Sequence, residues 1–245
     1  MLKYAVKRIL LAMLTVLIIA AITFFAMNAI PGGPFDSEKA TDPTTKATLE
    51  RRFNLDKPLP EQFVLYMRNA LRGDFGISLK NGRDITTTIM ESFGVSATLG
   101  GSAVGLAIFF GLGFGCLAAL KRNKIADRLI IFFTTLFVAV PSFILATLLL
   151  LIFCLKLGWF DVWTAGGASY ALPIVSLAMY PMSYITRLTK SSMLEVLGQD
   201  YIRTARAKGV NEAKVIAKHA LRNALIPVIT YVGPMTAYTL TGSMV

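Results

Sequence analysis

Five long stretches of this chain contain no Asp, Glu, Lys or Arg: residues 9–35, 92–120, 129–155, 162–186 and 223–245. A bilayer core of about 30 Å takes roughly 20 residues of helix, and every stretch is long enough. Buried helices of soluble proteins rarely reach that apolar length repeatedly, so the membrane is the expected solvent. Composition agrees, with 55% apolar and 16% charged residues. The fold class expected is an all-α membrane protein. The first stretch follows Lys3, Lys7 and Arg8 and so starts like a secretory signal. Its apolar part exceeds the roughly 7 to 15 residues of a signal core, and no small-x-small site precedes Pro31, so a retained first span is expected.

Charge orients the spans. The N-terminus carries +3, residues 121–128 carry +3 and residues 187–222 carry +5, while the segments between them are neutral, so these three hold the whole net charge of +11. Positive excess confined to alternate segments is the positive-inside pattern and puts the N-terminus, 121–128 and 187–222 in the cytoplasm. A basic balance distributed in this way needs no nucleic acid to explain it. Three parts follow: a cytoplasmic N-terminus and first span over 1–30, an external loop over 31–94, and a membrane domain over 95–245 containing the cytoplasmic loop 187–222. In the external loop, residues 46–53 and 60–71 read as helical patches, with Phe63, Met67, Ala70 and Leu71 at three- and four-residue spacing. Pro60 suits a first turn and Gly73 a stop. Such a cap either docks an external partner or packs on the spans.

Small residues and prolines mark the spans internally. Gly101 and Gly105, and Gly111 and Gly115, sit four apart, the spacing that lets helices approach closely in lipid. The GLGFG run at 111–115 lacks the preceding strand and following acid of a dinucleotide loop, so the cofactor reading fails. Pro141, Pro173, Pro181, Pro227 and Pro234 are candidate kinks, breaks or helix ends in the third, fourth and fifth stretches. Cys116 and Cys154 fall in separate spans and read as small packing residues.

Several chemistries are disfavoured. Ion-coupled transporters use ionisable groups at membrane depth, and these stretches have none. His219, the only histidine, lies among Lys218 and Arg222 and reads as a surface residue. No metal-site, nucleophile-turn or phosphate-loop motif occurs, and the absence of any Gly-Lys dipeptide excludes the last outright. No catalytic residue, metal or cofactor is therefore expected on this chain. ATP, if used, is bound elsewhere.

The remaining anomaly is residues 200–228, DYIRTARAKGVNEAKVIAKHALRNALIPV, a charged segment between apolar runs. Its pattern is short helix, glycine turn, helix. Tyr201, Ile202, Ala205 and Val210 offer an apolar surface, while Arg203, Arg206, Lys208, Lys214 and Lys218 keep the segment soluble. Ala205 and Ala207 have little bulk, and Gly209 permits a sharp turn. Such a helix fits a groove in another protein, or lies on anionic lipid.

RTARAKG at 203–209 followed by HALRNALIPV at 219–228 resembles the cytoplasmic "EAA" loop of permease subunits in bacterial ABC importers, in the dipeptide and oligopeptide group. PGGPFD at 31–36, GDFGIS at 73–78, PSF at 141–143 and TGSMV at 241–245 extend the resemblance along the chain, in a pattern most like the first of two oligopeptide permease subunits. Arg203, Thr204 and Ala205 stand where the broader consensus has Glu-Ala-Ala, and Leu221-Arg222 replaces its later Leu-Pro, with a proline only at Pro227. The resemblance implies a type I importer permease fold of six spans, of which five are expected here with the N-terminus cytoplasmic, so the chain reads as C-terminally truncated. It also implies a second homologous permease subunit, two cytoplasmic ATPases carrying ATP and Mg2+, an external peptide-binding protein and surrounding lipid. Tyr201, Ile202, Arg203, Ala205, Ala207, Gly209 and Val210 would form the coupling helix against an ATPase. Alternative readings are a dipeptide, nickel or glutathione permease, or a membrane scaffold whose basic loop binds lipid.

Overall fold

The computed structural model describes residues 2–30, 54–78, 82–162 and 169–241, and the chain divides into two compact units, Met1–Glu91 and Ser92–Val245. The helical patch expected over 46–53, PGGPFD at 31–36 and the end of TGSMV lie outside the described residues.

In the first unit, α1 (Leu2–Asn28) carries Lys3, Lys7 and Arg8 in its first two turns, is apolar on all faces beyond them and has no fully buried residue, as suits a helix solvated by lipid. Near its end Phe24 and Phe25 meet Phe63 of α2 (Leu59–Ala70) at ring-centroid distances of 5.4 and 5.6 Å. Phe63 is thus one of the residues whose spacing predicted this helix, and Pro60 sits in its first turn. Gly73, at φ 78°, follows as the stop. The GDFGIS segment then builds a cap for the helix beyond. Asp74 accepts the Gly76 N–H at 2.9 Å, Thr86 donates to the Gly73 carbonyl at 2.8 Å, and Asp84 accepts the Thr87 N–H at 2.7 Å. The Thr87 N–H and hydroxyl, with the Thr86 N–H, hold the Asp84 carboxyl below its ordinary value. Its place at the start of α3 (Ile85–Leu120) is the usual one for a capping acid.

The second unit is a bundle of α3, α4 (Ile125–Ala139), α5 (Ser142–Leu149), α6 (Ala171–Leu197), α7 (Asp200–Ala207), α8 (Glu212–Lys214) and α9 (Leu221–Thr241). Two π-helical segments occur in it, Leu150–Lys156 continuing α5 and Val215–Ala220 joining α8 to α9. One buried cluster, Ala103, Val104, Ala107, Ala178, Ile185, Val228 and Met235, ties α3, α6 and α9 together. The α6 face in this interface is small and hydroxylic. Ser183 and Thr186 are fully buried, and each donates to the carbonyl one turn back, at 2.7 and 2.8 Å, so their polarity costs little.

Gly111 and Gly115 are where α3 and α6 close. A Cβ on Gly111 would lie 2.7 Å from Ile185 Cγ2, and one on Gly115 would lie 2.5 Å from Thr189 Cβ and 2.7 Å from the Thr186 carbonyl. Gly101 and Gly105 differ: both are exposed with open space around the same position. Only one of the two four-residue glycine pairs therefore seals a contact within the unit, because the other is rotated about 80° around α3 and faces open space. Gly115→Ala is expected to destabilise the purified protein by about 1–3 kcal/mol through overpacking. Gly101→Ala should stay within about 0.5 kcal/mol of wild type, or gain slightly from helix propensity. Equal thermal midpoints for the two variants in detergent would contradict this packing.

The third uncharged stretch does not form one straight helix. At Pro141 the chain turns through 106° between α4 and the α5 segment. Proline has no N–H to continue the ladder and disfavours helical backbone at Val140, which is extended at ψ 126°. The other prolines behave differently from expected breaks. Pro173 sits in the first turn of α6, while Pro181, Pro227 and Pro234 lie inside uninterrupted helices, where packing holds the backbone despite each missing bond. By length and apolarity alone, α1 and α3 are able to cross a membrane, and the bent α4–α5 pair makes a third if taken as one span. The expected count of five is higher because α6 and α9 are less apolar. Their faces carry the Ser, Thr, Tyr and Pro residues that pack within the unit, and α6 runs on past Thr186 through Arg187, Lys190 and Glu195.

Candidate functional site, a braced helical knob

Residues 200–228 fold as helix, glycine turn, helix. α6 ends at Leu197, Gly198 and Gln199 change direction, and α7 begins with Asp200 in its first turn and ends with Arg206 in its last, both favourable to the helix dipole. The turn after α7 is a complete Schellman closure. Gly209 at φ 73° donates to the Arg206 carbonyl at 2.9 Å, and Val210 donates to the Ala205 carbonyl at 3.2 Å. Asn211 caps the next helix, its side chain accepting the Ala213 N–H at 2.9 Å. Across the turn Arg206 donates twice to Glu212, at 3.0 and 2.6 Å. Those bonds hold the Glu212 carboxyl below its ordinary value and raise Arg206. Exposure keeps the pair's net contribution small, but its bidentate geometry fixes one angle between α7 and α8.

The predicted site residues divide between two faces. Ile202 is completely buried in a second cluster with Ala119, Met193, Val215, Ala220 and Ala224, and half-buried Ala205 and Val210 pack against it. Burying an isoleucine side chain is worth about 2 kcal/mol, and here it anchors α7 to α3, α6 and α9. Ile202 therefore offers no surface to another protein in this arrangement. Tyr201 is partly exposed, and its hydroxyl accepts from Asn223 at 2.7 Å, tying α7 to the first turn of α9. Arg203, Ala207 and Gly209 are exposed, together with Thr204 and Lys208. The outward surface is thus small in the middle and basic around it, continued by exposed Lys214, Lys218 and Arg222.

A buried ion pair joins α4 to α6. Asp127 of α4, only 4% exposed, accepts from Lys190 of α6, and its other oxygen accepts the Asn123 N–H at 2.9 Å. The Lys190 bond holds the carboxyl below its ordinary value despite burial, with Asn123 and the Lys190 and Arg122 charges acting in the same direction. This pair and the Ile202 cluster bring residues 121–128 and 187–222, the two basic segments of this unit, to the same end of it. Sequence reading found the helix, the glycine turn and the outward cations. It missed the Asp127–Lys190 pair, whose members are 63 residues apart. It also missed the Arg206–Glu212 clamp and the Asn211 cap, although an asparagine two residues after a helix-stopping glycine was a legible cap signal.

Comparison with known proteins gives a consistent result across the chain. The family described as binding-protein-dependent transport system inner membrane component matches residues 111–245, and the N-terminal family of the same system matches residues 1–100. The dipeptide transport system permease protein DppB of Bacillus subtilis is 44% identical over 248 residues, covering 100% of this chain and 80% of that protein. The oligopeptide transport system permease protein OppB is 43% identical in Haemophilus influenzae and 40% in Salmonella typhimurium, again over 100% of this chain and 81% of each relative. With its apolar helices and relatedness along all of this chain, it belongs to the binding-protein-dependent transport system inner membrane component family and is a multi-pass protein of the bacterial inner membrane.

Proposed function

We propose that this chain is the permease subunit of an ATP-driven, binding-protein-dependent peptide importer, with its N-terminus and residues 187–222 in the cytoplasm. The observation that carries the reading is the joint occurrence of relatedness along all of this chain to dipeptide and oligopeptide permeases and a rigid, outward-facing α7 knob anchored by Ile202. A second permease subunit completes the pathway, two ATPases supply the motor, and an external binding protein delivers peptide. This chain has no part in ATP hydrolysis. α7 is its coupling helix: Arg203, Ala207, Gly209 and their exposed neighbours seat in an ATPase groove, while Ile202, Ala205 and Val210 carry the resulting push into the bundle.

The direct test is uptake of labelled trialanine into liposomes holding the complete complex. Uptake is expected to require ATP, both ATPases and the binding protein. Transport of nickel or glutathione with none of trialanine would redirect the substrate assignment. ATPase subunits failing to co-purify with this chain, while it binds anionic vesicles through the 187–222 loop, would replace the permease reading with the scaffold one.

A further inference from the structure

The bend at Pro141 opens into a cleft of about 710 Å³ between α4, α5, α6 and α9. That volume lies within the range of ordinary small-ligand sites. Its walls include Phe137, Val138, Pro141, Tyr180, Tyr231 and Tyr238. Among the described residues no charged one lines it.

Two features of the cleft concern hydrogen bonding. The first is the end of α4. In a helix the last four carbonyls point beyond the C-terminus and need partners from outside. Here Pro141 has no N–H, the Val140 N–H goes to Leu136, and the Ile144 and Leu145 N–H groups both go to the Pro141 carbonyl. Among the described residues no hydrogen bond is donated to the carbonyls of Phe137, Val138, Ala139 or Val140. Non-helical backbone at membrane depth persists where it lines a cavity rather than lipid, and Phe137, Val138 and Val140 are cleft residues. A helix C-terminus also bears partial negative charge, which favours N–H donors and ammonium groups. The second feature is the opposite wall. Tyr231 stacks on Tyr184 with centroids 4.2 Å apart, while Tyr180 and Tyr238, exposed at 49% and 73%, also line the cleft. Ser176 and Thr239, also in the lining, already donate to Pro173 and Met235 within their own helices. Their oxygens, and that of Ser142 in the same lining, remain acceptors beside the main-chain carbonyls and the tyrosines.

We infer that this cleft is a contact site for the main chain of the transported peptide. The α4 terminal carbonyls accept its amide N–H or ammonium groups, and the tyrosine wall lies along its side chains. The inference rests on the peptide-import reading and adds to it where along this chain the cargo passes. Recognition of this kind reads little of side-chain identity, because every peptide carries the same N–H groups and the described lining has no formal charge to pair with a side chain. The carbonyl row and the lack of charge both favour peptide over lipid as the occupant, since acyl chains bring no donors.

The test is thiol protection in the complete reconstituted complex. Tyr180→Cys is made in a Cys116→Ala, Cys154→Ala background, and the rate of maleimide labelling is followed with trialanine loaded to saturation on the binding protein. Labelling is expected to slow about tenfold with trialanine, and trialanine methylated on its amide nitrogens, equally saturating, should protect about tenfold less well. Equal protection by both peptides would overturn main-chain recognition. A thiol that labels at the same rate with and without trialanine overturns the cleft as a contact site. A thiol that never labels is covered by the second permease subunit or by lipid, which overturns it equally. Trialanine uptake by the parent complex separates the two levels: no uptake there defeats the peptide-import reading, whereas uptake with an unprotected thiol defeats the cleft alone.

Discussion

Lys190→Met is expected to cost the protein about 3 kcal/mol, and to cost it more at neutral pH than in mild acid. The change leaves the Asp127 carboxylate buried with, among the described residues, only the Asn123 N–H still donating to it. Removing one member of a buried pair is far worse than never having had it, because the orphaned charge keeps its desolvation penalty. The Lys190 side chain is 21% exposed, so water offsets part of that penalty, and the lower end of the usual range applies. The pH dependence follows from the direction of the Asp127 shift. In wild type the folded carboxyl is depressed, so the stability it contributes is fully present above its ordinary value of 3.8 and is lost only as the pH falls through the depressed folded one. Without Lys190, burial dominates and raises the folded value, so the variant should gain stability as neutral solution is acidified toward the carboxylate range. Thermal unfolding of purified protein in detergent across that range reads both effects. Asp127→Asn added to Lys190→Met should restore most of the loss. A single variant within about 1 kcal/mol of wild type, with no gain on acidification, would show that the pair is not buried in solution.

Gly209→Val should leave the amount of membrane-inserted protein unchanged yet lower peptide-linked ATPase stimulation in the complete complex by about tenfold. Open space surrounds the site, with nothing within 4 Å of an added Cβ, so a clash is not the cause. The cause is φ at 73°, which costs an L residue about 1–2 kcal/mol and a β-branched one more. Relieving that strain gives up the Schellman closure and swings Arg206 away from Glu212, so the outward face of α7 loses its orientation. Gly209→Asn, which enters the left-handed region more readily, should keep most of the stimulation. Undiminished stimulation by the valine variant at equal subunit levels would defeat the role assigned to this turn.

The parts of the fold legible in the sequence are those written in local chemistry. A glycine after an alanine-rich basic stretch announced the α7 turn, and a proline inside an uncharged run announced the bend at residue 141. Proline alone could not separate Pro141 from Pro181, Pro227 and Pro234. All four lack the same N–H, and only the packing of α6 and α9 within the bundle keeps the latter three in helix. Glycine spacing had the same limit. The 101/105 and 111/115 pairs are identical as patterns, and which one meets α6 depends on the rotation of α3, which no short motif encodes. Within the site, Arg203 and Ile202 sit next to each other in sequence and face opposite ways. The burial of Ile202 was readable in principle from the i, i+3 relation of Ile202 to Ala205, which places both on the inner face of α7.

The closure around Gly209 also bears on how a partner would meet this surface. A loop that orders only on contact gives up conformational entropy at that moment and folds more apolar area than the interface itself contains. Here the backbone bonds of the turn, the Asn211 cap and the Arg206–Glu212 clamp are all made by the chain to itself. A partner docking on α7 would then meet it as a rigid body, with a heat-capacity change that reports only the area covered.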